Sequence, residues 1–591
     1  MPVVATAGHV DHGKSTLVRA LTGTDPDRTV EENRRGLTID LGFAWTTLDG
    51  EEVALVDVPG HERFVPTMLA GVGPVPATLF AVAADGGWMP QSQEHLDALN
   101  ALGVTHGVLV VTRADLRNPA EAEQQARARL AGTGMAGIDV VAVSAVSGQG
   151  MNSLRVALVS MVRSLPVPDE YAAVRLWVDR AFSIKGVGTV VTGTLPAGRI
   201  RVGDRLSLRG GQEVVVRGLQ SFGRSTDEVQ GAARVAVNLR NFPLNGVRRG
   251  DTLTTPGTHL ETDTVDVRLS ASSAADLPAE CLLHFGTTQV AVHVRPLGRD
   301  AARLRLRTPL PLRIGDVGLL RDPGRHRVLT GFHALDVDPP TLRRRGAGVE
   351  RGKLLRHLPE KPDARGELSR RRVVRRGHLL AMGVPSTDIE ALPDGADGAD
   401  PDWVIDPAHA DALRARLALL VADHVRNQPL ETGPPLESLR QRLQLPSLAL
   451  TTALIRPPLH VEQGRAVVDR PDEPQLPPMV ARAVETLLED LAKEPYTAPD
   501  AQRLLDLGLG PRELAAAVRV GSLTKIAEGI FLTPEALREA GVPLRKLPQP
   551  FTLSMARQAW ATTRRVAVPL LEWLDHKGKT ERLPDDRRVV R

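Results

Sequence analysis

One short segment near the N-terminus has the residue types and spacing of a phosphate-binding loop. It reads Gly8-His9-Val10-Asp11-His12-Gly13-Lys14-Ser15 and fits the pattern G-x-x-x-x-G-K-S/T. The glycines let backbone N–H groups converge on phosphate oxygens, and a following helix adds its positive N-terminus. We expect Lys14 to contact the β- and γ-phosphates of a nucleotide and the Ser15 hydroxyl to bind Mg²⁺. An ordinary glycine turn is the weaker alternative, because a strand-like run precedes the segment and a helical one follows it.

Residues farther along the same region have the chemistry to sense and cleave a γ-phosphate. Asp57-Val58-Pro59-Gly60-His61 ends an apolar run, so Asp57 is placed to hold Mg²⁺ through water and the Gly60 amide to sense the γ-phosphate. Thr38 lies between the two motifs, where a threonine binds Mg²⁺ with GTP present and releases it after hydrolysis. His61 is the candidate catalytic residue, orienting the attacking water. The alternative is a plain surface or core histidine, which its place directly after glycine disfavours.

Two later loops have residues suited to guanine. Thr112-Arg113-Ala114-Asp115 follows an apolar run, at the place where guanine-specific proteins carry Asn-Lys-x-Asp. Asp115 can accept from both N1–H and the amino group of guanine, and the Arg113 stem can cover the base. Thr112 lacks an amide, which leaves the strength of guanine binding open. Ser144-Ala145 follows the last apolar run and fits the loop whose amide meets guanine O6. The predicted cofactors are therefore GTP or GDP with Mg²⁺.

These residues must be positioned by an α/β domain, and the rest of the chain changes character twice. Strand-like runs alternate with helix-length segments up to about residue 165, which predicts a doubly wound domain. Short glycine-broken strands then indicate antiparallel β-barrels, and charged helical segments follow. The predicted divisions are 1–170 for the nucleotide-binding domain, 171–257 and 258–340 for two barrels, and 341–408, 409–474, 475–542 and 543–591 for four helical modules.

Composition and charge narrow the class of protein. The chain has 591 residues and a single cysteine, Cys281, so an intrachain disulfide framework is excluded. It shows no secretory signal and no apolar run of about 20 residues, so we expect a cytoplasmic protein without a membrane segment. Thr341–His378 holds 13 Arg and Lys against 4 Asp and Glu, and the last 41 residues hold nine against five. This local excess suits a polyanionic partner or a solvated surface, and charge alone does not choose between them.

The nucleotide-site motifs resemble those of translational GTPases related to elongation factor Tu, over roughly residues 1–340. Two stretches are similar, more narrowly, to the selenocysteine-specific elongation factors: Arg35–Ala44 and Val178–Gly186. That resemblance implies a ribosome-stimulated GTPase. Its expected partners are selenocysteinyl-tRNA, the ribosome and an mRNA hairpin that marks UGA codons, and we expect the protein to be a monomer.

The same resemblance implies an aminoacyl pocket in the second domain. The positions that match the family's acid and two arginines are Asp179, Arg180 and Arg234. A selenol ionises below neutral pH, so arginines in a partly desolvated pocket would favour the anionic aminoacyl group. The alternative is an ordinary salt bridge on a barrel strand.

The end of the chain is similar to the last winged-helix module of the bacterial members of that family, which implies that the four helical modules form an array of winged-helix modules. Leu553–Trp560 and Thr563–His576 are predicted to form a helix–turn–helix, with strands at Thr580–Leu583 and Arg588–Arg591. Pro569 should kink the second helix or cost it about 3 kcal/mol. The candidate RNA-binding residues are Arg557, Arg564, Arg565, Lys577, Arg582 and Arg587. A solvated basic face is the alternative.

Two other functions are compatible with the sequence. One is a translational GTPase for another tRNA or for ribosome rescue. The other is a non-catalytic RNA-binding scaffold with a vestigial GTPase domain, which the altered Thr112-Arg113 pair supports and the intact Lys14, Asp57 and His61 oppose.

Overall fold

A computed structural model describes residues 2–26, 38–61, 64–73, 75–324, 327–428, 430–469 and 476–591 of the chain. It divides the protein into two compact units, residues 1–392 and 393–591. The first unit holds an α/β domain and two antiparallel β-barrels, and the second is mainly helical. The predicted fold class is confirmed. Of the stretch Arg35–Ala44, residues 35–37 lie outside the described residues.

A six-stranded sheet forms the centre of the first domain. Its strands are β1 (Val3–Ala7), β2 (Gly42–Leu48), β3 (Glu51–Asp57), β4 (Ala77–Ala83), β5 (His106–Thr112) and β6 (Asp139–Ala142). They lie in the order β2-β3-β1-β4-β5-β6, and all are parallel except β2, which runs antiparallel to β3. The exposed Trp45 and two threonines weaken the apolar signal of β2, so its sequence does not predict a buried strand.

Helices cover both faces of this sheet. They are α1 (Lys14–Thr22), α2 (Val65–Val72), α3 (Pro90–Ala101), α4 (Ala120–Leu130) and α5 (Met151–Ser164). Apolar residues of α1 and α5 join one buried cluster, and those of α2, α3 and α4 join another on the opposite face. With both faces covered, the loops at the carboxyl ends of the parallel strands are left as the place for a ligand.

Two β-barrels follow in the first unit. The strands of the second domain are β7 (Arg175–Ile184), β8 (Gly188–Leu195), β9 (Arg199–Arg201), β10 (Arg205–Leu208), β11 (Gln212–Ser221), β12 (Arg224–Thr226), β13 (Glu228–Gln230), β14 (Ala233–Leu239) and β15 (Thr252–Thr254). Pairing of β10 with both β15 and β11 closes a six-stranded ring. The third domain is a closed barrel of β16 (Leu260–Leu269), β17 (Glu280–Phe285), β18 (Thr288–Pro296), β19 (Ala301–Leu312), β20 (Val317–Arg321) and β21 (Val328–Asp336). Short 3₁₀ segments lie at Arg209–Gly211, Leu244–Gly246 and Ala274–Asp276.

The first unit ends in short helices that pack on the third-domain barrel. They are α6 (Ala347–Arg356), α7 (Ala364–Arg371), α8 (Arg376–Ala381) and α9 (Ser386–Glu390), with the short strand β22 (Val373–Arg375) between α7 and α8. Arg351 of α6 donates to the buried carboxylates of Asp266 and Asp336, and Arg303 donates to Asp266 at 2.7 and 2.9 Å. Part of the basic excess after residue 341 therefore anchors these helices to the barrel.

The second unit contains the remaining elements. They are β23 (Trp403–Ile405), α10 (Pro407–Asn427), α11 (Leu436–Leu443), α12 (Leu448–Ala453), β24 (Leu459–Glu462), β25 (Arg465–Val468), α13 (Pro478–Lys493), α14 (Ala501–Asp506), α15 (Pro511–Arg519), β26 (Thr524–Ala527), β27 (Ile530–Leu532), α16 (Pro534–Glu539), α17 (Gly541–Arg545), α18 (Leu553–Ala559), α19 (Arg564–His576), β28 (Thr580–Arg582) and β29 (Arg588–Val590). Within the described ranges, no helix has both the length and the apolar character of a membrane span.

The last module has the predicted helix–turn–helix and two-stranded wing. α18 and α19 form the helix pair, and β28 pairs antiparallel with β29. The helical spacing of Ala567, Leu571 and Leu574 predicts a buried stripe on α19, and all three are fully buried. α19 continues through Pro569. One apolar cluster extends from Val484 to Leu574, so the last two predicted modules share a core.

Candidate functional site

The phosphate-binding loop connects β1 to α1, and its backbone adopts conformations that require glycine. Gly8 has φ 124°, and a Cβ there would lie 2.2 Å from the Ala81 carbonyl oxygen. Gly13 has φ 76° and lies directly before the first residue of α1. The Lys14 ammonium lies inside the loop, donating to the carbonyls of Gly8 at 3.0 Å and His9 at 2.8 Å. The loop thus surrounds a buried cation, as a site for phosphate requires.

Two residues of α3 support this loop, and sequence reasoning missed both. The amide of Gly8 donates to Nδ1 of His95 at 3.0 Å, and the amide of Val10 donates to Oε1 of Gln91 at 3.2 Å. Complete burial, with Lys14 nearby, lowers the pKa of His95 to about 3, so the imidazole stays neutral and can accept. The two residues are four apart on one helix face. The spacing of Gln91 and His95 can be read from the sequence, but the loop against which this helix face packs cannot.

The side chains of the three candidate Mg²⁺ ligands lie next to one another at the end of the phosphate-binding loop. The Ser15 hydroxyl lies 2.9 Å from that of Thr38 and donates to the Asp57 carboxylate at 2.7 Å. Thr6 donates to the other carboxylate oxygen at 2.7 Å, which orients the fully buried Asp57. Mg²⁺ prefers hard oxygen ligands and usually takes one or two carboxylates together with substrate phosphates. One carboxylate and two hydroxyls fit that requirement.

Gly60 and His61 follow β3 on the same side of the site. A Cβ on Gly60 would lie 2.4 Å from Nζ of Lys14 and 2.6 Å from the amide of Val10, so only glycine permits this approach. His61 comes next and is partly exposed, with its ring centroid 6.1 Å from that of Phe64. His61, which has the predicted catalytic imidazole, therefore directly follows Gly60, whose backbone lies against the phosphate-binding loop.

The two guanine loops lie side by side, and one of them also braces the phosphate loop. Thr112 donates from its hydroxyl to the His12 carbonyl at 2.9 Å, and Arg113 donates to the Asp11 carbonyl at 2.5 Å. The amide of Ala114 donates to the Val143 carbonyl at 3.0 Å, joining the loop after β5 to the strand end before Ser144.

The remaining guanine candidates lie around these loops. Asp115 is exposed, Ser144 is buried, and Ala145 is half-buried. The Ser144 hydroxyl accepts from the amide of Ser147 at 3.1 Å, which shapes the loop after β6. The unusual Thr112 therefore has a structural partner in the phosphate loop, while Asp115 is open to solvent at the rim.

A cavity of about 230 Å³ lies between β2 and the second-domain barrel. Arg180 and Arg234 line it together with Phe43 and Thr192. Asp179 lies beside it, accepting two hydrogen bonds from Arg234 at 2.5 and 3.0 Å and one from Thr192 at 2.6 Å. The guanidinium of Arg234 lies 3.3 Å from the centroid of the Phe43 ring. The predicted aminoacyl residues are brought together, and the salt bridge that was the alternative is present within the same pocket.

The six candidate RNA-binding residues are divided between two ends of the last module. Arg564 and Arg565 are exposed at the start of α19, and Lys577 is exposed just after its end, roughly 20 Å away at 1.5 Å per residue. Arg557 is half-buried on α18. The residues already engaged are Arg565 with the Gly529 carbonyl, Arg582 with Asp586 and Arg587 with Asp585.

Comparisons with known proteins follow the same division of the chain. Residues 1–164 match the family model of the elongation factor Tu GTP binding domain, and 188–254 match elongation factor Tu domain 2. Residues 544–589 match the elongation factor SelB winged helix. A selenocysteine-specific elongation factor of Escherichia coli (strain K12) is 31% identical over 99% of this chain and 98% of its own length. This chain belongs to the selenocysteine-specific elongation factor family.

Two further proteins are similar to this chain over its full length. A selenocysteine-specific elongation factor of Desulfomicrobium baculatum is 29% identical over the full length of both chains. The crystal structure of a bacterial selenocysteine-specific elongation factor EF-Sec has the same fold, with a TM-score of 0.78, 24% identity and complete coverage of both chains. As a member of the selenocysteine-specific elongation factor family, the protein is a translational GTPase.

Proposed function

We propose that this factor, acting as a monomer, carries selenocysteinyl-tRNA with GTP to the ribosome at UGA codons that an mRNA hairpin marks, and hydrolyses GTP on delivery. The arginine-lined cavity beside β2 carries the proposal. Arg180 and Arg234 line it with two guanidinium groups, and the neighbouring Asp179 accepts two hydrogen bonds from Arg234. A selenol is ionised near neutral pH, whereas a serine hydroxyl is not. The positive charge of the guanidinium groups therefore favours the selenocysteinyl ester.

The nucleotide site supports the hydrolytic part of the proposal. Lys14 would contact the β- and γ-phosphates of GTP, and Ser15, Thr38 and Asp57 would hold Mg²⁺. When bound, Mg²⁺ would neutralise charge on the phosphate oxygens. His61 would orient the attacking water through its imidazole, while the Gly60 amide would face the γ-phosphate. These residues supply position and charge, which is most of what phosphoryl transfer requires from a protein.

GTP hydrolysis with and without ribosomes tests this part. We expect slow turnover by the protein alone and a large increase with ribosomes, as the resemblance of the sequence to ribosome-stimulated GTPases implies. His61→Ala should lower the stimulated rate by about 10²-fold or more and leave GDP affinity near that of the unchanged protein. A ribosome-independent rate, or full stimulation in His61→Ala, would contradict the assignment.

The hairpin-binding part rests on three cations of the last module. Among the described residues, the side chains of Arg557, Arg564 and Lys577 form neither an ion pair nor a hydrogen bond, whereas those of Arg565, Arg582 and Arg587 form at least one of the two. Arg564→Gln should weaken hairpin binding and reduce the slope of log affinity against log salt by about one. Arg426→Gln is a matched control, since Arg426 is an exposed arginine of α10 paired with Asp423 at 3.2 Å. Equal losses in both variants would contradict a role for this module.

The pocket is tested by comparing tRNA that carries selenocysteine with the same tRNA carrying serine. With a non-hydrolysable GTP analogue, we expect a preference of roughly tenfold or more for selenocysteine, and Arg180→Gln should remove most of it. Arg205→Gln serves as the control, because Arg205 is an exposed arginine of the same barrel, paired with Glu213 at 2.6 Å. Equal binding of the two tRNAs by the unchanged protein would refute the proposed specificity.

A further inference from the structure

Among the described residues, the side-chain hydrogen bonds of Arg180 go to the first domain. Its Nη2 donates to the Asp40 carboxylate at 3.0 Å and to the Leu41 carbonyl at 3.0 Å. The same guanidinium lies 5.3 Å from the centroid of the Phe43 ring, at the start of β2. The segment that begins at Thr38 therefore fixes the direction in which this arginine points.

Asp40 also contacts a second arginine of the barrel domain. Its other carboxylate oxygen accepts from Nη1 of Arg249 at 3.2 Å, and Nη2 of Arg249 reaches the Thr67 carbonyl of α2 at 3.4 Å. Thr38 precedes Asp40 by two residues, and α2 begins four residues after His61. Arg249 therefore links the barrel that carries the aminoacyl pocket to both segments expected to sense the γ-phosphate, through Asp40 in one and Thr67 in the other.

The two arginines that line the pocket differ in their counter-charges. Arg234 of β14 pairs with Asp179 of β7, a carboxylate of the same barrel on the far side of β8, and the Asp179 side chain is only 5% exposed. Arg180 pairs with Asp40, which belongs to another domain and is 46% exposed. A displacement between domains can change the second pair and leave the first intact. Arg180 is thus the pocket arginine whose counter-charge the first domain supplies.

We propose that Asp40 is a positioning residue that couples the nucleotide state to recognition of the anionic aminoacyl group. It does so by setting the direction of Arg180 and by neutralising its positive charge. The inference rests on the proposed function of the pocket. Two residues of chain span at most ~7 Å, so a large displacement of Thr38 is transmitted to Asp40. Asp40 then competes with the selenocysteinyl anion for Arg180 to a degree that depends on the bound nucleotide.

The test is the affinity of selenocysteinyl-tRNA for the full-length protein with a non-hydrolysable GTP analogue and with GDP. In Asp40→Asn, which keeps the side-chain volume and removes the charge, the ratio of the two affinities should fall about tenfold. With seryl-tRNA the ratio should change less than about twofold, because a neutral group does not sense the charge on Arg180. A loss of the same size for both tRNAs would overturn the proposal.

Further variants separate charge from structure. Asp40→Glu keeps the carboxylate and should retain most of the coupling, so an effect equal to that of Asp40→Asn would refute the electrostatic mechanism. In an Arg180→Gln background, Asp40→Asn should have no added effect, because Asp40 acts through that arginine. Asp49→Asn removes an exposed ion pair with Arg163 in the same domain and should leave the ratio unchanged.

Failure of the coupling can be told apart from failure of the proposed function. If the unchanged protein discriminates selenocysteinyl-tRNA from seryl-tRNA and Asp40→Asn keeps the full nucleotide dependence, the role of Asp40 is refuted and the pocket assignment stands. If the unchanged protein does not discriminate at all, the pocket assignment fails, and the role of Asp40 falls with it.

Discussion

Replacing His95 by leucine should destabilise the first domain by an amount that shrinks as the pH falls. His95 is 1% exposed, and its Nδ1 accepts the amide of Gly8 at 3.0 Å. Leucine fills a similar volume but leaves that amide without an acceptor. At pH 7 the expected loss is about 1–3 kcal/mol of unfolding free energy.

The pH dependence follows from the titration of His95. Burial lowers the pKa of the folded imidazole from 6.5 to about 3. Between these two pH values the unfolded chain binds a proton at His95 and the folded chain does not. The unchanged protein therefore loses stability as the pH falls from about 6.5 toward 3, and His95 accounts for about 2 kcal/mol between pH 7 and pH 5. Leucine does not titrate, so the difference between the two proteins should narrow by that amount.

Hydrogen-exchange mass spectrometry of the full-length protein under increasing denaturant measures this difference, because peptides of β1, α1 and β4 report on the first domain alone. Gln91→Leu is the matched control on the same helix. It removes the acceptor for Val10 without removing a titratable group, so its cost should not depend on pH. A difference for His95→Leu that stays constant from pH 7 to pH 5 would refute the reasoning.

Three other substitutions probe separate parts of the chain. Thr112→Ala removes the hydroxyl that donates to His12 and should lower GDP affinity about fivefold in a fluorescence titration, while Thr112→Ser should restore it. Asp266→Asn leaves two buried arginines without their shared carboxylate and should cost about 3–5 kcal/mol, measured by the thermal unfolding of the third domain. Arg588→Leu breaks the 2.9 Å pair with Asp575 and should cost about 2 kcal/mol, seen as faster exchange in residues 544–589.

Much of the nucleotide site was predictable because its signals are local. The run from Gly8 to Ser15 requires a glycine turn between a strand and a helix, whatever the rest of the fold does. The stripe on α19 was readable for the same reason, since Leu571 and Leu574 repeat at helical spacing. Chemistry that depends on neighbours in sequence can be inferred from sequence.

The contacts that position the site were decided by the tertiary structure. His95 meets Gly8 across 87 residues of chain, and Arg180 meets Asp40 across 140. Each pair joins two elements, and the sequence periodicity of each element indicates only which of its faces is buried. The partner of that face depends on how sheets, helices and barrels pack. A single sequence could therefore name Arg180 as a pocket residue, but only the packing of β2 against the barrel shows which carboxylate controls its charge.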